Sequence, residues 1–97
     1  MRTLYQRIKV ENPLMTLHYF IINRDGCFGV EIFKFPQLGR LERQRAFPLS
    51  RDLGEVRRFA QSLVQGQVTP RCLDEIAQDL FFERTCCSAC VYRAKSS

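Results

Sequence analysis

The 97-residue sequence predicts an α+β fold, an antiparallel three- to four-stranded sheet followed by two amphipathic helices packed on one of its faces. Two observations carry this. The first half is rich in β-branched and aromatic residues broken by turn signals, and after residue 50 the apolar spacing changes to threes and fours. Strands first and helices after is the α+β order, because striped helices need an apolar sheet face to bury against. A hydrophobic content of 45% with 26% charged residues excludes disorder and fibrous repeats, and the length suits one domain.

Residues 14–23 and 27–35 read as strands joined by Arg24-Asp25-Gly26. A short Asp-Gly loop between two such runs signals a β-hairpin, because glycine accepts the positive φ of a tight turn. In the second strand Phe28, Val30 and Ile32 share one apolar side, leaving Cys27, Gly29, Glu31 and Phe33 on a mixed one, so the sheet is expected to be covered on one face only. Residues 36–39 form a second turn. Residues 40–47 then make an edge strand bearing Arg43 and Arg45, which Pro48 is expected to end. Upstream, Leu4, Ile8 and Val10 place a further strand within residues 3–10, with residues 1–13 otherwise a flexible lead-in.

Leu53, Val56, Phe59, Ala60, Leu63 and Val64 line one stripe of a helix, with Ser50 or Asp52 as N-cap and Gly66 as stop. Thr69-Pro70 opens a second helix, whose stripe is Leu73, Ile76, Ala77, Leu80 and Phe81, with Asp74, Glu75, Gln78 and Asp79 on the wet side. Residues 1–82 are thus one α+β domain and residues 83–97 a cysteine-containing tail. The longest uncharged apolar stretch, residues 14–22, is too short to span a bilayer, and residues 1–12 lack the apolar run of a signal peptide. The expectation is a cytoplasmic protein with no membrane contact.

Fifteen basic residues oppose ten acidic ones, and the excess lies in residues 1–60. Arg40, Arg43, Arg45, Arg51, Arg57 and Arg58 form the densest basic cluster, offset by Glu42, Asp52 and Glu55. Guanidinium groups suit phosphates and carboxylates, so these six are the candidate anion-binding residues of an alternative reading, weak non-specific contact with nucleic acid or another polyanion, against which the interleaved acids argue. A helix-turn-helix reading fails, since the second helix carries Asp74, Glu75, Asp79 and Glu83 where phosphates would have to approach.

Cys87 and Cys90 have the C-x-x-C spacing of metal or redox sites, but no second ligand pair accompanies them. They are the metal candidates of a zinc-stabilised alternative in which Cys27, Cys72 or His18 would complete the set; unliganded reduced thiols are the simpler reading. Cys86 adjoins them. His18, the sole histidine, lies inside an apolar strand, where an imidazole is more often a hydrogen-bonded filler than a general base. No nucleophile elbow, phosphate loop or metalloprotease motif occurs, so no catalytic residue and no cofactor is assigned.

Phe28-Gly29-Val30-Glu31-Ile32 and the run Val68-Thr69-Pro70 through Leu80 resemble a family of short bacterial proteins classed as a domain of unknown function. Its members share an aromatic-Gly-hydrophobic-Glu strand and a Val-Thr-Pro helix start with a downstream acid. The resemblance spans about residues 15–82. Cys72 and Gln78 depart from the family's more usual histidine and acid, and the cysteine tail is peculiar to this chain. The resemblance implies the fold and no activity, substrate or cofactor.

Without catalytic groupings, the expected role is binding to a protein partner or to a second copy of the chain. Phe33, Phe35, Leu38, Phe47 and Phe82 exceed what one sheet face and two helix stripes bury, and surplus aromatics suggest an interface. The alternatives are the arginine-borne polyanion binder and the zinc-stabilised domain.

Overall fold

Asp25 and Gly26 both take positive φ, 54° and 79°, closing a two-residue turn whose twist matches that of the flanking strands. In the computed structural model, which describes residues 1–11 and 14–81, this turn joins β2 (Leu14–Arg24) to β3 (Cys27–Pro36). Arg24 pairs with Cys27 and His18 with Phe33, so Arg24 belongs to the strand rather than the loop. β1 (Arg2–Glu11) pairs antiparallel with β2 along its length, as the apolar residues of that segment predicted. β4 (Glu42–Ser50) pairs with β3, giving a four-stranded antiparallel sheet in the order β1-β2-β3-β4.

Pro48 does not end the fourth strand. The register slips so that Phe28 faces Ser50 while Val30 faces Ala46, and the extra residues of β4 bulge opposite Gly29. An edge strand at a bulge tolerates a residue without an N–H, which lets β4 run on to Ser50 past a cis Phe47–Pro48 bond. The same close approach requires glycine at position 29, because a Cβ there would meet the Ala46 carbonyl and lie 2.8 Å from Phe47 Cδ1.

Two helices follow, α1 (Leu53–Gln65) and α2 (Pro70–Phe81). Asp52 is the N-cap of α1, its carboxylate accepting from the Gly54 and Glu55 amides at 2.9 and 3.4 Å. Ser50 instead donates its hydroxyl to Glu55 Oε1 at 2.7 Å and accepts the Asp52 amide. At the far end Gly66 keeps a negative φ, and it is Gln67, at 51°, that turns left-handed. The Val68 amide then closes back on the Leu63 carbonyl at 3.0 Å and delivers the chain to Pro70.

Period-2 alternation sends Leu17, Tyr19, Val30 and Ile32 to the helix side of the sheet, where they meet Val56, Leu63, Leu73 and Ala77, all at most 1% exposed. Truncating a leucine at such a site costs about 2–5 kcal/mol. α1 lies over the β1–β3 side of the sheet and α2 along β4, and an edge-on contact between Phe59 and Phe81, 5.0 Å between centroids, joins the helices. Leu53 and Leu80 depart from their stripes. At 38% and 45% exposed, they lie outside the buried core. Asp74 is half-buried rather than solvated, accepting from Gln44 Nε2 of β4 at 3.4 Å.

Candidate functional site

The helices cover one face of the sheet, and the alternation that builds the core places a second set of side chains on the other. Along the two central strands these are His18 and Phe20 from β2 with Phe33 and Phe35 from β3. Their rings form a continuous patch. His18 and Phe35 lie 4.6 Å apart between centroids, Phe20 meets Phe33 edge-on at 5.4 Å, and Phe33 lies nearly parallel to Phe35 at 6.1 Å. Phe35 is 40% exposed and the other three are half-buried. Cross-strand aromatic pairs stabilise a sheet locally, but four rings on a face with no covering layer also present flat apolar surface to whatever approaches.

Cations frame this patch from both outer strands. The bulge between Leu4 and Gln6 keeps Arg2, Arg7 and Lys9 on the open face, where Arg7 lies opposite His18 and Lys9 opposite Thr16. β4 contributes Arg43 opposite Phe33 and Arg45 opposite Glu31. The Arg2 guanidinium lies 5.1 Å from the Phe20 centroid and 5.3 Å from that of Phe33, and Arg43 is 5.9 Å from Phe33. At such distances a guanidinium is attracted to the negative face of the ring.

Glu31 sits at the middle of this face, 1% exposed. Its Oε1 accepts from Arg2 Nη1 at 2.8 Å, and its Oε2 has Arg45 Nε at 3.9 Å but no hydrogen-bond donor. One buried carboxylate thus draws in an arginine from each flank, while both guanidinium side chains stay close to half exposed. Glu31 and, at the rim, Glu11 oppose Arg2, Arg7, Lys9, Arg43 and Arg45, so the face is strongly cationic. The His18 imidazole is pushed below its ordinary 6.5 by burial and then by the Arg7 charge, which favours its neutral form.

The structure divides the predicted arginine cluster. Arg43 and Arg45 lie on the open face, Arg40 is exposed in the loop before β4, Arg51 precedes α1, and Arg57 and Arg58 belong to α1 in the opposite layer. The sequence reading missed Arg7 and Lys9, whose signal was their alternation with Ile8 and Val10, and Arg2, which reaches this face only through the bulge between Leu4 and Gln6 and so left no signal in the spacing. Of the surplus apolar residues, Phe33 and Phe35 join the patch and Phe47 is half-buried under Arg24, whose guanidinium is 5.9 Å from its ring centroid. Leu38 is 86% exposed in the β3–β4 loop.

Cys87 and Cys90, with Cys86 and Phe82, lie outside the described residues. Cys27 is buried at the start of β3 and Cys72 exposed on α2, while His18 lies on the open face, so these three occupy separate parts of the fold. Among the described residues no three His, Cys, Asp or Glu side chains gather within reach of one ion. No helix among them is long and apolar enough to cross a membrane. No family model, curated protein or solved structure matches the chain.

Proposed function

We propose that the protein is a non-catalytic binding module whose working surface is the open face of the sheet, and that this face takes an anionic macromolecule. The observation that carries the reading is the arrangement of Arg2, Arg7, Lys9, Arg43 and Arg45 around one exposed and three half-buried rings, with only Glu31 and Glu11 in opposition. Laying this face on that of a second copy would set a net charge of +3 (five cations less Glu31 and Glu11) against another +3, which disfavours the self-association expected from the surplus aromatics. An anionic partner is drawn to the same five charges and releases counterions when it binds.

Titration with a polyphosphate of defined length, followed by calorimetry at low and high salt, tests this. Binding is expected at low salt and should weaken steeply as salt rises. Replacing Arg7, Lys9 and Arg43 together by Gln should abolish it, whereas the same replacement of Arg57, Arg58 and Arg71 on the helix layer removes equal charge and should leave most of it. No binding at low salt, or equal losses from the two triple variants, would overturn the reading.

A further inference from the structure

The cations on the open face account for an anion, but they do not account for the ring surface that remains open once the four rings have packed on one another, above all at Phe35. A phosphate or carboxylate needs donors, and a smooth polyanion gains nothing from His18, Phe20, Phe33 and Phe35. These rings occupy the two central strands, where their faces are flanked by Arg7 and Lys9 on one side and by Arg43 and Arg45 on the other. A polymer that matches this layout carries regularly spaced negative charge together with flat apolar groups able to lie on an aromatic ring. Single-stranded nucleic acid has that chemistry, and duplex does not, because its bases are already stacked on one another.

We infer that the open face binds single-stranded RNA or DNA, its bases stacking on Phe35 and His18 at the exposed end of the patch and its phosphates lying against Arg7, Lys9 and Arg43. This rests on the anionic-partner reading above and adds the identity of the anion. Phe35 is the leading stacking residue, being the most exposed of the four rings and lying 4.6 Å from His18. Arg2 and Arg45 play a different part. Both are drawn to the buried Glu31, so they brace the platform, and the outer cations are left to meet phosphate. The contacts are with backbone and ring face rather than base edges, so binding is tolerant of sequence.

The full chain is titrated against fluorescently labelled single-stranded dodecamers of uridylate and of thymidylate, a duplex of the same length, and a polyphosphate of matched charge. Single strands should bind more tightly than either competitor. With three phosphates neutralised, by Arg7, Lys9 and Arg43, affinity for a single strand should fall about 20-fold as salt rises from about 50 to about 200 mM. Phe35→Leu keeps the apolar cover and removes the ring, and should weaken single-strand binding about fivefold or more, a loss typical of one stacked base, without altering polyphosphate binding. Phe35→Tyr should restore it. Equal affinity for polyphosphate and single strand, with no effect of Phe35→Leu, would overturn the nucleic-acid inference and leave the anionic-partner reading standing. No binding to any of the four at low salt would overturn both, as would a dimer in light scattering that Phe35→Leu dissolves.

Discussion

Arg2 Nη1 reaches Glu31 Oε1 at 2.8 Å, tying the first strand to the third across the intervening β2. A carboxylate 1% exposed at the centre of a sheet needs such a partner, since an unpaired buried charge is expensive. Arg2→Ala leaves Glu31 with Arg45 Nε alone, at 3.9 Å. The expected loss is about 1–3 kcal/mol, the usual range for an abandoned buried acceptor, read as a shift in the urea midpoint. Adding Glu31→Gln to the same chain should recover part of it, because the stranded charge is then gone.

Gly29→Ala forces a methyl group against the Ala46 carbonyl and the Phe47 ring. Either the β4 bulge shifts or the β3–β4 ladder separates locally, at a cost of about 1–3 kcal/mol. Urea unfolding of the variant measures this, and amide exchange should show lost protection near Ala46 first.

The Tyr19 hydroxyl donates to the Val68 carbonyl at 2.9 Å, pinning the inter-helix turn to the sheet. Tyr19→Phe should cost about 1 kcal/mol by thermal or urea unfolding. Burial pushes the Tyr19 phenol from 10.0 up to about 12. A raised folded-state value means that the unfolded chain loses this proton first. Its contribution to stability is therefore complete below pH 10 and declines as pH rises from there towards about 12. Phenolate absorbance during an alkaline titration should show one tyrosine ionising late.

His18 gives the opposite end of the pH scale. Its folded-state value lies below 6.5, so the unfolded chain takes up the proton first and stability falls as pH drops below 6.5. A bound polyanion reverses the preference by favouring imidazolium on the open face. Affinity for a single-stranded dodecamer should therefore rise as pH falls below 6.5, and His18→Gln should flatten that dependence. Imidazole proton shifts with and without the oligonucleotide, recorded against pH, check both statements.

The architecture was legible because the patterns that specify it are local. Asp25-Gly26 announced the hairpin, and Leu63, Leu73 and Ala77 fell where a helical stripe puts them. Pro48 misled because a bulge, which depends on the pairing of Phe28 with Ser50, is invisible to a strand read alone. Gly66 caps the first helix as its position promised, while the left-handed turn falls one residue later, at Gln67, which the sequence does not mark. The candidate site was half visible. Glu31 and Phe33 were placed on the less apolar side of β3, but the arginines nearest in sequence were grouped together. Arg57 and Arg43 then parted to opposite layers, while Arg2 and Glu31, twenty-nine positions apart, became neighbours. Proximity across a sheet follows from register, which residue spacing does not reveal.

Each strand of the meander pairs with the one that precedes it in the chain, so no segment must wait for a distant one to find its place. The sheet is able to zip outward from Asp25-Gly26 as synthesis proceeds, with small loop-closure penalties at every step. Until α1 and α2 emerge, however, Leu17, Val30 and Ile32 stand bare to water. A nascent chain halted before Leu53 would hold properly paired strands and an unprotected greasy side, the species on which a chaperone has most reason to act.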